Sequence, residues 1–342
     1  MKQLTVLAVF GGESSEHDVS VNSARNIYLA IDKTKYDVRL CYIDIQGRWW
    51  LLDEWNDVPD GARTTQLVIA PGTRTLLTVP GSKVISVDVI FPVLHGKLGE
   101  DGTIQGLAEM MHIPIVGCGV ESSAICMNKD ATKRLVAAQG LSVVPWVTVR
   151  RGEDAKSYSK RIEHLDAHGP WFVKPARAGS SVGVSKVATL DDIATAVEAA
   201  HRHDALALVE IAVNGRELEV AVLGNPPHHR ASGVGEIIPG SDFYDYEDKY
   251  SADSLSKTVL NADLPKALTK VIRQHALDAY ALLGCTGLAR VDFLLNDELV
   301  PYLNEINTLP GFTNISMYPK LWQEKGLSQT ELVDQLIDAA VE

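Results

Sequence analysis

Asp292, Glu305 and Asn307 are the chemistry-bearing side chains of a stretch running from 288 to 316, LARVDFLLNDELVPYLNEINTLPGFTNIS. Its first arm, 288–295, alternates: Leu288, Arg290, Asp292 and Leu294 fall on one face, Val291, Phe293 and Leu295 on the other. The second arm, 300–307, puts Leu303, Glu305 and Asn307 on one side. Strand side chains alternate faces with period two. In a hairpin with an even-numbered loop, Arg290, Asp292, Glu305 and Asn307 therefore all point the same way. A tight turn at Asn296-Asp297 would set Glu305 opposite Leu288, out of reach of Asp292. A wider loop centred on Glu298 and Leu299 sets Asp292 directly opposite Glu305, with Cβ atoms ~5 Å apart. Two carboxylates and an amide oxygen converging in this way form a hard-oxygen set suited to Mg²⁺, with phosphates as further ligands. The same pattern also describes the solvated face of a half-exposed strand, and these residues alone leave both readings open.

Two further stretches could serve a phosphate-bearing ligand. Residues 174–183 read KPARAGSSVG. A Gly/Ser-rich loop flanked by a lysine can wrap phosphates with backbone N–H groups and a cation; it can equally be a plain hairpin turn. It is not a P-loop, because the GxxxxGK[ST] order and the following helix are missing. Residues 239–262, PGSDFYDYEDKYSADSLSKTVLNA, form a long loop without core periodicity. Loops of that length in a compact domain are functional lids or disordered. Tyr244, Tyr246, Tyr250 and Lys249 favour a lid that orders over a ligand.

The elements that must position these groups follow from the apolar pattern. Residues 4–10 read as a buried strand broken by Gly11-Gly12, and 19–31 as a helix. Residues 36–43, 84–94 and 113–116 read as strands and 103–111 as a helix. Strands alternating with helices imply a parallel, doubly wound sheet, whose ligands sit at the carboxyl ends of strands. The loops GGESSEH (11–17) and HGKLGEDG (95–102) leave such ends. No GxGxxG follows the first strand, which speaks against a nicotinamide dehydrogenase. A helix over 121–139, closed by Gly140, leads into an α+β unit with strands at 143–149, 171–174, 182–187 and 206–213 and a helix at 191–201. Strands at 216–223 and 229–238, a helix at 265–283 and a closing helix at 329–341 complete the pattern.

With 342 residues, 46% hydrophobic and 22% charged, the chain reads as a globular protein of two or three domains. Its net charge of −12 argues against nucleic acid as a partner. An anionic ligand must therefore be met by a few placed cations. Cys41, Cys118, Cys126 and Cys285 show no CxxC pair, so neither a zinc site nor a disulfide framework is expected. No segment approaches the ~20 apolar residues of a membrane span, and 4–10 is too short for a signal core. The expected location is cytoplasmic.

Taken together, GGESSEHDVS, HGKLGEDGTIQG, Lys129 in ICMNKDATK, VKPARAGSSVGVSKV, ALVEIAVNGRELEVAVLG, FYDYEDKY, ARVDF and NEINTLPGFT resemble the D-alanine–D-alanine ligases of the ATP-grasp superfamily. The resemblance covers essentially the whole chain; Asn128, where many relatives carry Asp, is one small departure. It implies an α/β, ATP-grasp fold: a doubly wound N-terminal domain (1–120), then two α+β subdomains (121–210 and 211–342) that clasp ATP, the second carrying the lid 239–262. It also implies the reaction. ATP phosphorylates the carboxylate of one D-alanine, and the amine of a second attacks the acyl phosphate.

By the same resemblance, Asp292, Glu305 and Asn307 hold two Mg²⁺ ions, for which Mn²⁺ can substitute. Lys129, Lys174 and Lys249 meet the phosphates of ATP, while Glu210, Val213 and Glu217 meet its adenosine. Glu16 binds the first substrate's ammonium and bonds with Ser180 and Tyr250. Arg290 and the Gly311 N–H face the oxyanion, so Arg290 reads as an oxyanion partner rather than a salt bridge to Asp292. Ser316 and Met317 receive the second carboxylate. His95 lies near the substrates or serves as a structural hydrogen bond, and the sequence leaves both open. The family's members are commonly homodimers. An intact Tyr250 favours dipeptide synthesis; the alternatives are a D-alanine–D-lactate or other D-alanine–X ligase, or a non-catalytic nucleotide-binding regulator. The last would lack a metal carboxylate or a phosphate lysine, and all are present.

Overall fold

Residues 4–11 are apolar almost without interruption and form β1 (Leu4–Gly11), buried on both faces within the first sheet. A strand covered on both sides needs no polar alternation. It pairs in parallel with β2 (Tyr36–Ile43) and β7 (Val89–Val93). Val6, Ala8 and Phe10 pack towards α1 (His17–Ala30), while Leu7 and Val9 pack towards α2 (Thr103–Met110). The structure, a computed structural model, describes residues 3–55, 65–166, 168–240 and 256–342. The greater part of the expected lid, with Tyr244, Tyr246, Lys249 and Tyr250, lies outside the described residues.

The expected parallel sheet is realised only at these three strands. Beyond β2 the sheet runs antiparallel through β3 (Trp49–Leu52), β4 (Gln66–Ala70), β5 (Thr75–Val79) and β6 (Val84–Ser86). The turn after β2, residues 44–48, is organised by the Asp44 carboxylate, which accepts from Gln46 N, Arg48 N and Trp50 Nε1. It is far shorter than a parallel crossover requires. The strand expected over 84–94 is thereby two strands, β6 and β7, and the one at 113–116 contributes a single bridge from Ile115 to Ile90.

The helix expected over 121–139 is also two: α3 (Val120–Met127) and α4 (Lys129–Ala138). Asn128 between them is extended, and its Oδ1 accepts from Ala131 N at 3.3 Å. This is an N-cap, a role that Asn fills well because its side-chain oxygen replaces a missing helical acceptor. The break makes Lys129 the first residue of α4.

The second sheet is antiparallel, in the order β10-β9-β11-β8, with β8 (Trp146–Arg150), β9 (Trp171–Pro175), β10 (Ser185–Val187) and β11 (Leu206–Ile211). Val147, Val149, Trp171, Val173, Ala207 and Val209 pack one face against α5 (Ala155–Leu165) and α6 (Ile193–His201). Lys174 and Glu210, at the opposite parity, occupy the other face. β10 starts later than expected because Ser180, Ser181 and Gly183 all adopt positive φ within a turn.

The third sheet, β14-β13-β12-β15-β16, is antiparallel throughout. It comprises β12 (Gly215–Leu223), β13 (Arg230–Ile238), β14 (Lys257–Val259), β15 (Leu288–Asn296) and β16 (Pro301–Asn307). α7 (Lys266–Leu282) covers one face. α8 (Met317–Glu324) and α9 (Gln329–Val341) join this sheet to the first, packing Tyr318, Leu332 and Leu336 into one core with Phe10 and Val93. The four cysteines are buried free thiols. Among the described residues no helix is long and apolar enough to cross a membrane.

Replacing Asn128 with Ala removes the cap of α4 and is expected to cost about 1 kcal/mol in urea denaturation, whereas Asp should retain most of it. An unchanged midpoint in Asn128→Ala would show that the cap is not holding the helix.

Candidate active site

The hairpin β15–β16 brings Asp292 opposite Glu305 and Arg290 opposite Asn307, the expected pairing, but by a different route. The loop between the paired Leu295 and Pro301 spans 296–300, an odd number of residues, so Phe293 pairs with Leu303. Asn304 is then an extra residue in β16, a bulge next to Asp292. Parity changes there. Leu303 is consequently buried in the core instead of sharing the face of Glu305 and Asn307, as the regular hairpin required. β12 adds Glu217 opposite Leu294 and Glu219 opposite Asp292, on the same face.

Cations answer these carboxylates. Arg290 holds Asp292 bidentately, Nε to Oδ1 at 2.8 Å and Nη2 to Oδ2 at 2.7 Å, and its Nε lies 3.2 Å from Glu219 Oε1. The expectation that Arg290 is not a salt-bridge partner of Asp292 is corrected. Two residues apart on one strand face, the pair is preplaced, and a buried carboxylate left unpaired would be strongly destabilising. Burial works against the Arg290 charge, but Asp292 and Glu219 outweigh it and raise its pKa further. Lys129 Nζ donates to Ala178 O at 2.8 Å and lies 3.1 Å from Glu305 Oε2. Burial opposes its charge as well, and Glu305 again prevails, so its pKa is raised. Lys174 Nζ lies 2.8 Å from Glu210 Oε2 and donates to Asn304 Oδ1 at 3.3 Å. The bulge thus aims Asn304 at the second sheet.

Glu16 at the start of α1 accepts a hydrogen bond from Ser180 Oγ in the Gly/Ser loop, two residues beyond the Ala178 carbonyl that Lys129 meets. Gly96 sits so close that a Cβ there would come within 2.7 Å of Glu16 Oε2. His95 is buried with both nitrogens engaged: Nδ1 with Leu309 O at 3.0 Å and Nε2 with Ser23 Oγ at 3.2 Å. A carbonyl only accepts, so the network assigns the proton to Nδ1 and makes Ser23 the donor to Nε2. Ser23 Oγ also accepts from Phe312 N. The structure therefore gives His95 a structural hydrogen-bonding role, holding 309–312 against α1. Burial pulls its pKa down, against the nearby Glu16.

Gly311 lies where a Cβ would approach Ser316 Oγ to 2.8 Å. Ser316 stands at the N-cap position of α8 without capping it, its Oγ turned back to accept from Thr313 N at 3.0 Å. Met317 is buried against Gly235. Val213 lies past the end of β11, which stops at Ile211, in the linker 212–214 to β12. Lys249 and Tyr250 lie outside the described residues.

The donor set suits a hard divalent ion. Among the described residues no three His, Cys, Asp or Glu side chains form a metal cluster. The hairpin offers instead two opposed carboxylates and Asn307, whose Oδ1 is oriented by Leu309 N at 3.2 Å. These are oxygen ligands of the kind Mg²⁺ takes when phosphates complete its shell.

Comparison with known proteins decides the family. The descriptions "D-ala D-ala ligase N-terminus" and "D-ala D-ala ligase C-terminus" match residues 5–118 and 135–338. D-alanine–D-alanine ligase A of Escherichia coli is 45% identical over 354 residues, covering 100% of this chain and 97% of that one. The chain belongs to the D-alanine–D-alanine ligase family. The solved D-alanine–D-alanine ligase of Coxiella burnetii superposes with a TM-score of 0.89 at 38% identity, covering 100% of this chain and 94% of that one. The VanG D-Ala:D-Ser ligase of Enterococcus faecalis gives 0.91 at 36% identity, covering 99% and 100%. As in these ligases, the fold is ATP-grasp, and ATP is the energy source of the family.

Three residues of this ligase site escaped the reading from sequence. Lys133 lies four residues after Lys129, hence on the same face of α4. Asn304 and Glu305 are two polar residues in succession, which marks a break in alternation. Glu100 was a member of the loop 95–102 without a partner in view. Its Oε2 accepts from Gly96 N at 2.7 Å, and burial followed by the Glu16 charge pushes it up to about 8.

Two outcomes follow from this geometry. Asn304→Ala keeps the bulge but removes the Lys174 contact, so ATP affinity should fall about threefold to tenfold with little change in melting temperature; an unaltered affinity would exclude a role for the contact. For Glu100, the folded pKa lies above its ordinary value of 4.5. The folded state thus binds more protons, and the associated stability is complete below about 4.5 and lost as pH rises through about 8. Glu100→Gln should flatten this decline by roughly 1–2 kcal/mol, an amount discounted for the solvent reaching part of the side chain. Urea midpoints of the ligand-free protein across that range read the difference.

Proposed function

We propose that the protein joins two D-alanines into D-alanyl-D-alanine through a D-alanyl phosphate made from ATP, for peptidoglycan precursor synthesis. The observation that carries the reading is the link between both halves of the chemistry. Asp292 and Glu305 oppose each other, Lys129 joins Glu305 to Ala178 O, and two residues further along that loop Ser180 holds Glu16. A carboxylate is a poor electrophile until it carries a leaving group, and phosphoryl transfer asks mainly for positioning and charge neutralisation.

In this reading Lys129 and Lys174, with Lys249, receive the phosphates. Glu210, Val213 and Glu217 receive the adenosine. Asp292, Glu305 and Asn307 would hold two Mg²⁺ ions, or Mn²⁺, which supply positive charge against the phosphate oxygens. Glu16 takes the ammonium of the first D-alanine, its carboxylate oriented by Ser180 and Tyr250. Arg290, once its pairing with Asp292 relaxes, and the Gly311 N–H face the oxyanion. Ser316 and the Met317 backbone, at the N-terminus of α8, take the second carboxylate, where the helix dipole favours an anion. His95 acts by holding 309–312 in place. We further propose a cytoplasmic homodimer organised as 1–120, 121–210 and 211–342, the lid 239–262 closing over the site to exclude water.

The second substrate is the point of competition, because a D-Ala:D-Ser ligase shares the whole fold. Tyr250 in FYDYEDKY favours an amine nucleophile held as D-alanine. Phosphate release and product mass, measured with ATP, Mg²⁺ and D-alanine, then with D-serine or D-lactate added over a pH series, should show D-alanyl-D-alanine as the main product. Absence of D-alanine-dependent phosphate release would overturn the reading, and a dominant mixed product would move it to the D-alanine–X class.

A further inference from the structure

Lys133 has no part in the roles assigned above, yet its side chain is completely buried. An ammonium group withdrawn from water must be paired to persist as a charge. Lys133 leaves α4 one turn after Lys129, and its Nζ donates to Val144 O at 3.0 Å. It lies 2.9 Å from Glu210 Oε1 and 5.5 Å from the centroid of the Trp146 ring. The other oxygen of Glu210 is 2.8 Å from Lys174 Nζ. One buried carboxylate therefore stands between two ammonium groups, and the triad carries a single net positive charge. Were Glu210 paired with Lys174 alone, that charge would be cancelled.

We propose that Lys133 is a positioning residue for the nucleotide phosphates: by sharing Glu210 it keeps the Lys174 ammonium electrostatically available and fixes the direction in which Glu210 holds it. The inference rests on the nucleotide site proposed above and deepens it. In a chain of net charge −12, a polyanion meets only the local excess of cations. Lys129 is matched by Glu305, so the excess among Lys129, Lys133, Lys174, Glu210 and Glu305 exists because Lys133 is there. Burial pulls Lys133 down to about 8; Glu210 opposes that pull, and Lys174 and Lys129 add to it. As pH passes that value the triad drops from one positive charge to none, while Glu210, whose own pKa is lowered by the two lysines against its burial, stays ionised.

Calorimetric titration of the full-length chain with Mg²⁺ and a non-hydrolysable ATP analogue, and separately with adenosine, tests this. Lys133→Met should weaken the analogue about tenfold or more while adenosine stays within about twofold. In the double variant Lys133→Met/Glu210→Gln, the ratio of analogue affinity to adenosine affinity should return to within about threefold of the wild-type ratio, because nothing remains to cancel Lys174 while any lost adenosine contact affects both ligands alike. A purely structural role for Lys133 would weaken adenosine as much as the analogue, or leave that ratio in the double variant no better than in the single, and either result overturns the proposal. Should Lys133→Met not fold, a titration from about pH 7 to about pH 9 decides. Analogue affinity should fall several-fold more in wild type than in Glu210→Gln, and equal slopes overturn the inference. Failure of the wild type to bind the analogue would refute the nucleotide site itself. Equal binding by wild type and Lys133→Met would refute this inference alone.

Discussion

Two carboxylates facing each other across a β-ladder repel, and the rest of this site is arranged around that repulsion. Cross-strand like charges are destabilising unless something intervenes. Here Arg290 clamps Asp292 from its own strand, and Lys129 reaches Glu305 from the first residue of α4. The opposition of Asp292 and Glu305 concentrates negative charge where a divalent ion can use it, and the flanking cations hold it there meanwhile. Glu100 registers the same crowding, since its carboxyl is raised by burial and by Glu16, with Glu305 adding a smaller push.

The site is assembled from chain segments far apart in sequence, each tied by a specific bond. Ser180 of the second sheet reaches Glu16 of the first, and Lys174 reaches Asn304 of the third. His95 and Ser23 fasten the segment 309–312 to α1 through Leu309 O and Phe312 N. Such bonds fix domain faces by direction as well as by proximity, which apolar contact alone does not. The bulge at Asn304 is an economical case: one added residue both corrects the parity of the hairpin and supplies the oxygen that meets Lys174.

How much of this could be read beforehand depended on whether the deciding contact was local. The face shared by Arg290, Asp292, Glu305 and Asn307 follows from period two and was legible. The bulge was not, because its partner Lys174 lies 130 residues away and the alternation of 300–307 looks regular if Leu303 is counted with Glu305. The break at Asn128 was hidden by apolar spacing that continues through it, although Asn before Lys-Asp is a capping signal in retrospect. β1, α1 and β2 were read correctly since buried strands and amphipathic helices announce themselves. The antiparallel extension β3–β6 was missed because short, partly exposed strands carry little periodicity. The family itself was legible from ordered motifs, none of which is decisive alone.

The core that joins Phe10 of β1 to Leu332 and Leu336 of α9 has a consequence for how the protein comes into being. One side of the first strand is completed by the last helix. At roughly 5–20 residues per second, a ribosome needs tens of seconds to deliver the one after the other. Throughout that interval α1 covers its share of this apolar face, while the share that α9 will cover has no partner yet made. Its birth is thus a window of exposure in which chaperone capture competes with aggregation, and it ends only when the carboxyl-terminal helix arrives.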